Sequence, residues 1–460
     1  MRLAVGIVVL AGCGRIGFDA GSDLGSDGHV TGDGSTSDVP VGAPFTIELP
    51  TQSTISDLAA VTNGIVAVGG RVGVLTLDGI TDPGVGGSDI VVMELDGGGH
   101  ARWLHQYGGP EDDLATTVAV APDGSIYVGG YVEGAASLGG PQRQGSTTDA
   151  FVAKYTPAGD HVWDIRFGGG EATPDSYDTV LDIAVRPDGD LVVAGRVTGI
   201  VDFGLGNTSA SAANTDAFVA RYSPTGALRW ARRFGIQGEN AFTSIAISND
   251  VIYLGGVYTG ALDLGTGSLP ARGNGDALML RMNADTTTVS WVASFGGDDN
   301  QRIYGVELYG DVIVGVGYFW QTVDLPNIST PAQRADGLVV AYDKLTGAFV
   351  DALRYGGPGC DYLYSAEVSN GQVIASGTFQ GTVLFDTGVT AAGLADGVVV
   401  GVDSAGFQWH RTFGNDSDEV AQSTVGDISS ALFVGGTRDL RLDAGCYPVP
   451  GVTTGYIRRF

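Results

Sequence analysis

The chain has 460 residues, 43% of them hydrophobic, so it is long enough to bury a substantial core. Its 75 glycines are about twice the usual share of ~7%, which points to many turns and few long helices. With 52 acidic against 24 basic side chains, the net charge of −28 repels phosphate backbones and argues against nucleic acid as a partner. Cations, basic proteins and neutral glycans stay open.

The N-terminus reads MRLAVGIVVLAGC: Arg2 precedes the apolar run Leu3–Leu10, and Leu10-Ala11-Gly12-Cys13 follows. The apolar run is too short to span a bilayer. The last four residues resemble the bacterial lipobox. The resemblance implies a signal peptide over residues 1–12, lipidation of Cys13 and a lipid-anchored, extracytoplasmic protein. Gly14, where an Asp would imply retention at the inner membrane, implies the outer membrane or the cell surface. Residues 13–43 follow as a tether of Gly, Ser, Thr and Asp, in which Asp19, Asp23, Asp27, Asp33 and Asp38 face only Arg15. Without an apolar period it is read as solvated coil, reaching roughly 30 Å. Its aspartates lack the D-x-D-x-D-G density of a calcium loop.

From residue 44 onward the chain repeats itself. DAFVAKYTPAGDHVWDIRFGGG begins at Asp149 and returns in variant form at Asp89, Asp216, Asp276, Asp336 and Asp396, with spacings of 60, 67, 60, 60 and 60. Such a period marks a repeat architecture. Each unit holds four strand-like runs, as in DAFVAKY, HVWDIRFG, VLDIAVRPDG and LVVAGRV. Four strands per unit repeated radially is the propeller solution to unpaired sheet edges. The small-residue run occurs seven times: Gly69-Gly70, Gly129-Gly130, Ala194-Gly195, Gly255-Gly256, Val316-Gly317, Ser376-Gly377 and Gly435-Gly436. The FVAKY-type run also occurs seven times, the last as GYIRRF at Gly455–Phe460, but the run ending in an aromatic and glycine occurs only six. The spacing therefore predicts an all-β, seven-bladed propeller over residues 44–460, with Pro44–Pro50 supplying the missing outer strand of the last blade.

The units YGGPEDDLATTVAVAPDGSIYVGGY (Tyr107–Tyr131) and DAFVAKYTPAG (Asp149–Gly159) resemble the bacterial β-propeller repeat called SBBP. The resemblance spans Leu58–Phe460 and implies a cell-surface propeller without implying an activity.

One tryptophan per unit (Trp103, Trp163, Trp230, Trp291, Trp409) is expected to pack against the neighbouring blade. Asp343 to Gly347 resembles half of the D-x-x-x-G…W signature of quinone-cofactor propellers, yet that unit lacks the tryptophan. The unit-opening aspartates Asp89, Asp149, Asp216, Asp276, Asp336 and Asp396 are too regular for a catalytic pair and are read as turn and cap residues. The segments entering the inner strands carry the candidate site. Asp113, Asp178, Asn240, Gln301, Asp361 and Glu419 occupy equivalent positions and are expected to ring one channel mouth. There they would hold a hard cation such as Ca²⁺, orient sugar hydroxyls, or cap the strands. No other cofactor is suggested. The loops after the small-residue runs are expected on the same face, as is a disulfide between Cys360 and Cys446.

HExxH, G-x-S-x-G, Walker and zinc patterns are missing from the sequence. The leading expectation is a monomeric, non-catalytic binding or scaffold module whose acidic loop face meets a glycan or protein. The alternative is a hydrolase, lyase or quinone-dependent enzyme using the channel-mouth carboxylates.

Overall fold

The computed structural model describes residues 44–460 apart from 146–147, 170–177, 205, 207–213, 385–387, 392–394, 415–417, 427–431, 439–440, 443–445, 447 and 450–452. Seven four-stranded antiparallel sheets stand in a ring, giving a seven-bladed β-propeller. In the second blade the strands run Leu114–Val120, Ile126–Glu133, Thr148–Tyr155 and His161–Phe167 from the axis outward. Inner strands are apolar on both faces because blades cover them on each side; Thr179–Val185 is buried along its whole length. Outer strands meet solvent and alternate accordingly, as in Val289–Phe295.

The ring closes as the strand count requires. Glu419–Gly426, Leu432–Arg438 and Thr454–Arg459 form three strands of the seventh blade, and Phe45–Thr51 is its outermost. Phe45 pairs with Arg459 and Ile47 with Ile457.

Every inner strand carries a register shift at the same place, between Ile55/Asp57, Ala115/Thr117, Val180/Asp182, Phe242/Ser244, Ile303/Gly305, Leu363/Ser365 and Ala421/Ser423. One extra residue per blade bends the inner strand over its neighbour. Opposite each shift sits a glycine: Gly69, Gly130, Gly195, Gly256, Gly317, Gly377 and Gly436. A Cβ on any of them would stand 1.9–2.2 Å from an inner-strand carbonyl oxygen. In the first blade the common glycine is thus the first of Gly69-Gly70, one residue earlier than the small-residue pairs suggest. Gly195→Ala is expected to cost about 2 kcal/mol or more, read as a lowered denaturation midpoint. An unchanged midpoint would mean that the inner strand can retreat.

The outer-strand tryptophans of the first four blades lock each to the next. The indole N–H donates to a carbonyl in the following blade's turn: Trp103 to Pro157 at 3.2 Å, Trp163 to Pro224 at 3.0 Å, Trp230 to Ala284 at 2.8 Å and Trp291 to Lys344 at 3.2 Å. Gly159, Gly226 and Gly347 in those turns have φ of 86°, 81° and 71°. Their bare Cα atoms let the indoles approach to where a Cβ would lie 2.7–3.1 Å away. From the seventh blade to the first, the Phe45 ring covers Gly99 in the same way.

Candidate functional site at the channel mouth

The entry residues sit together on one face with the loops that follow the second strands, since Gly108 bridges to Ser137 in such a loop. They do not face outward as a ligand ring. Asp113 accepts the backbone N–H groups of Gly109 (2.6 Å) and Glu133 (2.8 Å). Asp178 accepts those of Gly169 (2.8 Å) and Thr198 (2.6 Å). Asp361 accepts those of Gly357 (2.8 Å) and Gln380 (3.0 Å). In two other blades an amide does the converse: Asn240 donates to the Thr215 and Gln237 carbonyls, and Gln301 to that of Thr322. Glu419 pairs with Arg438 at 3.3 Å. All six are at most 1% exposed.

Of the roles the sequence allows here, cation ligand, sugar acceptor or strand cap, these contacts are those of a cap. Each side chain ties its own entry loop to neighbouring backbone, because a buried polar group must find a partner where it stands. Among the described residues no three His, Cys, Asp or Glu side chains converge as metal ligands. Burial pushes the carboxyls of Asp113, Asp178 and Asp361 up to about 7. The unit-opening aspartates are likewise structural: Arg166 holds Asp149 at 2.6 Å, and Arg233 holds Asp216 at 2.9 Å. Glu111, Asp112 and Asp298 remain exposed, so the face is still acidic.

Two features escaped the reading of the sequence. The first is a polar ring on the inner strands just past each register shift, formed by Asp57, Thr117, Asp182, Ser244, Ser365 and Ser423, with Gly305 in the fifth blade. Side chains here take a backbone N–H from the next blade: Val118 donates to Asp57 (2.9 Å), Ile245 to Asp182 (2.6 Å), Val306 to Ser244 (3.0 Å), Thr424 to Ser365 (3.3 Å) and Leu58 to Ser423 (3.2 Å). The signal was present as a small polar residue at one fixed place inside otherwise apolar runs.

The second is an aromatic wall on the axis. Tyr304 and Tyr364, the extra residues of blades five and six, lie 5.4 Å apart, and Tyr318 meets Tyr362 edge-on at 4.9 Å. The Arg302 guanidinium lies 5.5 Å from the Tyr304 ring centre. Burial pushes the Tyr304 and Tyr364 hydroxyls up, so they remain protonated donors. Behind the wall Cys360 and Cys446 are joined as a disulfide with Cα atoms 5.7 Å apart, and the Tyr362 hydroxyl faces the Cys446 carbonyl at 3.4 Å. Tyr304, Tyr362 and Tyr364 are at most 7% exposed, so the rings pack chiefly on one another. Cys13 and the tether lie outside the described residues.

No family model matches the chain. A regulatory protein of Caulobacter vibrioides, FlaEY, is 25% identical over 402 residues, which are 79% of this chain and 41% of that protein. The chain thus spans about two fifths of that relative's length. BamB from Moraxella catarrhalis aligns over 90% of this chain and 98% of its own, at 13% identity and a TM-score of 0.40. A quinohemoprotein alcohol dehydrogenase from Comamonas testosteroni aligns over 90% of this chain and 76% of its own, at 11% identity and a TM-score of 0.43. Likenesses of that size locate no site and no activity here, and the propeller is established by its own strands.

Proposed function

We propose that the protein is a lipid-anchored, extracytoplasmic propeller that binds a partner without transforming it. The observation that carries this reading is the condition of its carboxylates. Asp113, Asp178 and Asp361 are buried and each already holds two backbone N–H groups. A general acid or base must reach the group it serves, so the carboxylates that an enzyme at this mouth would need are committed to the framework. What stays free to vary is the set of loops on the same acidic face, held by a rigid scaffold. The lipobox-like Leu10–Cys13 and the acidic tether supply the anchor and its reach. The relative called a regulatory protein agrees with a role exerted through another molecule. Its repeat units resemble those of SBBP-type surface propellers.

The test compares the wild-type chain with Asp113→Asn combined with Asp178→Asn, by cross-linking in the native membrane and by thermal denaturation. A lowered midpoint with the same cross-linked partner is expected. A variant that keeps its midpoint but loses a measurable turnover would overturn the reading in favour of an enzyme.

A further inference from the structure

One tryptophan departs from the pattern of the others. Trp409 stands on the outer strand of the sixth blade, and among the described residues no turn of the next blade covers it. The third strand of the seventh blade is Thr454–Arg459 and its fourth is Phe45–Thr51, so the two are not joined by a turn. In its place is a hollow of about 150 Å³ lined by Trp409, Arg411, Phe460, Leu432, Ile374 and Ser369. Arg411 lies 6.0 Å from the Trp409 ring and 5.3 Å from that of Phe460. The Trp409 indole N–H, deprived of a turn carbonyl, donates instead to Gln372 Oε1 at 2.8 Å.

The molecule itself shows what covers its other outer-strand tryptophans. Trp103 and Trp163 are covered by Thr156-Pro157-Ala158-Gly159 and Ser223-Pro224-Thr225-Gly226, each giving its proline carbonyl to the indole and its glycine to the ring face. The turns over Trp230 and Trp291, at Ala284 and Lys344, lack the proline but give a carbonyl in the same place, and Tyr253, the counterpart of Ile374 in the fourth blade, also bonds the Lys344 carbonyl, 3.1 Å away. A cavity of this size accommodates one small ring, and aromatic-lined grooves take proline because its bound shape is already set. We propose that the hollow at Trp409 is a docking slot for a reverse turn of hydroxyl–proline–x–glycine type presented by another polypeptide. The inference deepens the partner-binding reading, but its geometry stands apart from the channel mouth.

The test uses the full chain carrying Cys13→Ser, labelled with ¹⁵N, and a cyclised peptide with the sequence of Tyr155–His161. The chain has six tryptophans, hence six indole N–H signals, and Trp409→Phe identifies one of them. The Trp409 signal is expected to move saturably with a Kd of about 1 mM while the other five stay in place. Leu432→Phe narrows the hollow and is expected to abolish the movement. Gln372→Leu frees the indole N–H for the turn carbonyl and is expected to tighten binding about threefold. No movement, movement of all six signals, or a response that survives Leu432→Phe would each overturn the proposal. So would movement with free phenol and none with the peptide, which would make the hollow a small-molecule slot. None of these outcomes depends on capturing a partner at the membrane, so the failure of one reading is separable from that of the other.

Discussion

Deletion of Phe45–Thr51 is expected to unfold the propeller or to lower its denaturation midpoint more than any single substitution. Leu49 is 3% exposed, and Phe45 and Ile47 pack on the same cluster, which joins the seventh blade to the first. Removing three such side chains from the core forfeits about 5 kcal/mol of burial, comparable with the whole stability of a marginal domain. The loss is compounded at Thr454–Arg459, which becomes an exposed edge with unpaired N–H and C=O groups. Phe45 also ceases to cover Gly99, so the contact between the last and first blades opens on its outer side. Because the strand is paired but not covalently continuous with its blade, a peptide of Pro44–Thr51 added to the deleted chain is expected to restore part of the midpoint. A deletion that leaves the midpoint unchanged would mean that three strands suffice for the seventh blade. A loss that the peptide cannot reverse would place the damage elsewhere than in the strand pairing.

The closing strand was legible because it follows from counting. Seven second strands, seven third strands and six outer strands leave one vacancy, and Pro44–Pro50 alternates as an outer strand should. Much of the blade was legible for the same reason: alternation and turn residues act locally. The tryptophans were read correctly as inter-blade packing, although the turn carbonyl that four of the five meet is 53–61 residues away and could not be named. The entry residues show where such reading stops. Asp113, Asp178 and Asp361 were found by position, but whether a carboxylate turns outward to a ligand or inward to two N–H groups depends on a loop path that no pattern states. Asn240 and Gln301 at equivalent positions were a clue to a framework role, since amides reverse the hydrogen-bond polarity and serve poorly as a common cation site. The polar ring and the tyrosine wall were hidden by the register shift. One extra residue moves every later side chain to the opposite face, and nothing in the sequence marks where that residue is inserted.

Asp57 is the position where a single substitution and a change of pH are expected to act together. Its carboxylate accepts the Val118 and Leu58 N–H groups, both at 2.9 Å, and the Ser423 hydroxyl at 2.8 Å, joining the first blade to the second and the seventh. Asp57→Ala strands these donors in a fully buried site, and is expected to cost about 3–5 kcal/mol. Asp57→Asn keeps an acceptor and is expected to cost less. Burial pushes the Asp57 carboxyl up to about 7, and burial pushes Asp182 well above the usual range, with the charge of Asp57 adding to it. The sign follows from linkage. A carboxyl raised in the folded chain binds its proton more tightly there than when unfolded. Its contribution is therefore fully present below the unfolded value of 3.8 and is lost as pH rises through about 7. Between those limits each such group is expected to lower stability by about 1.4 kcal/mol per pH unit. Self-repulsion at a net charge of −28 acts in the same direction, so the wild-type slope alone does not isolate the ring. The difference does: from pH 5 to pH 7 the midpoint of the wild-type chain is expected to fall more steeply than that of Asp57→Asn. Parallel slopes would show that Asp57 is ionised throughout, its three hydrogen-bond donors having outweighed the cost of burial.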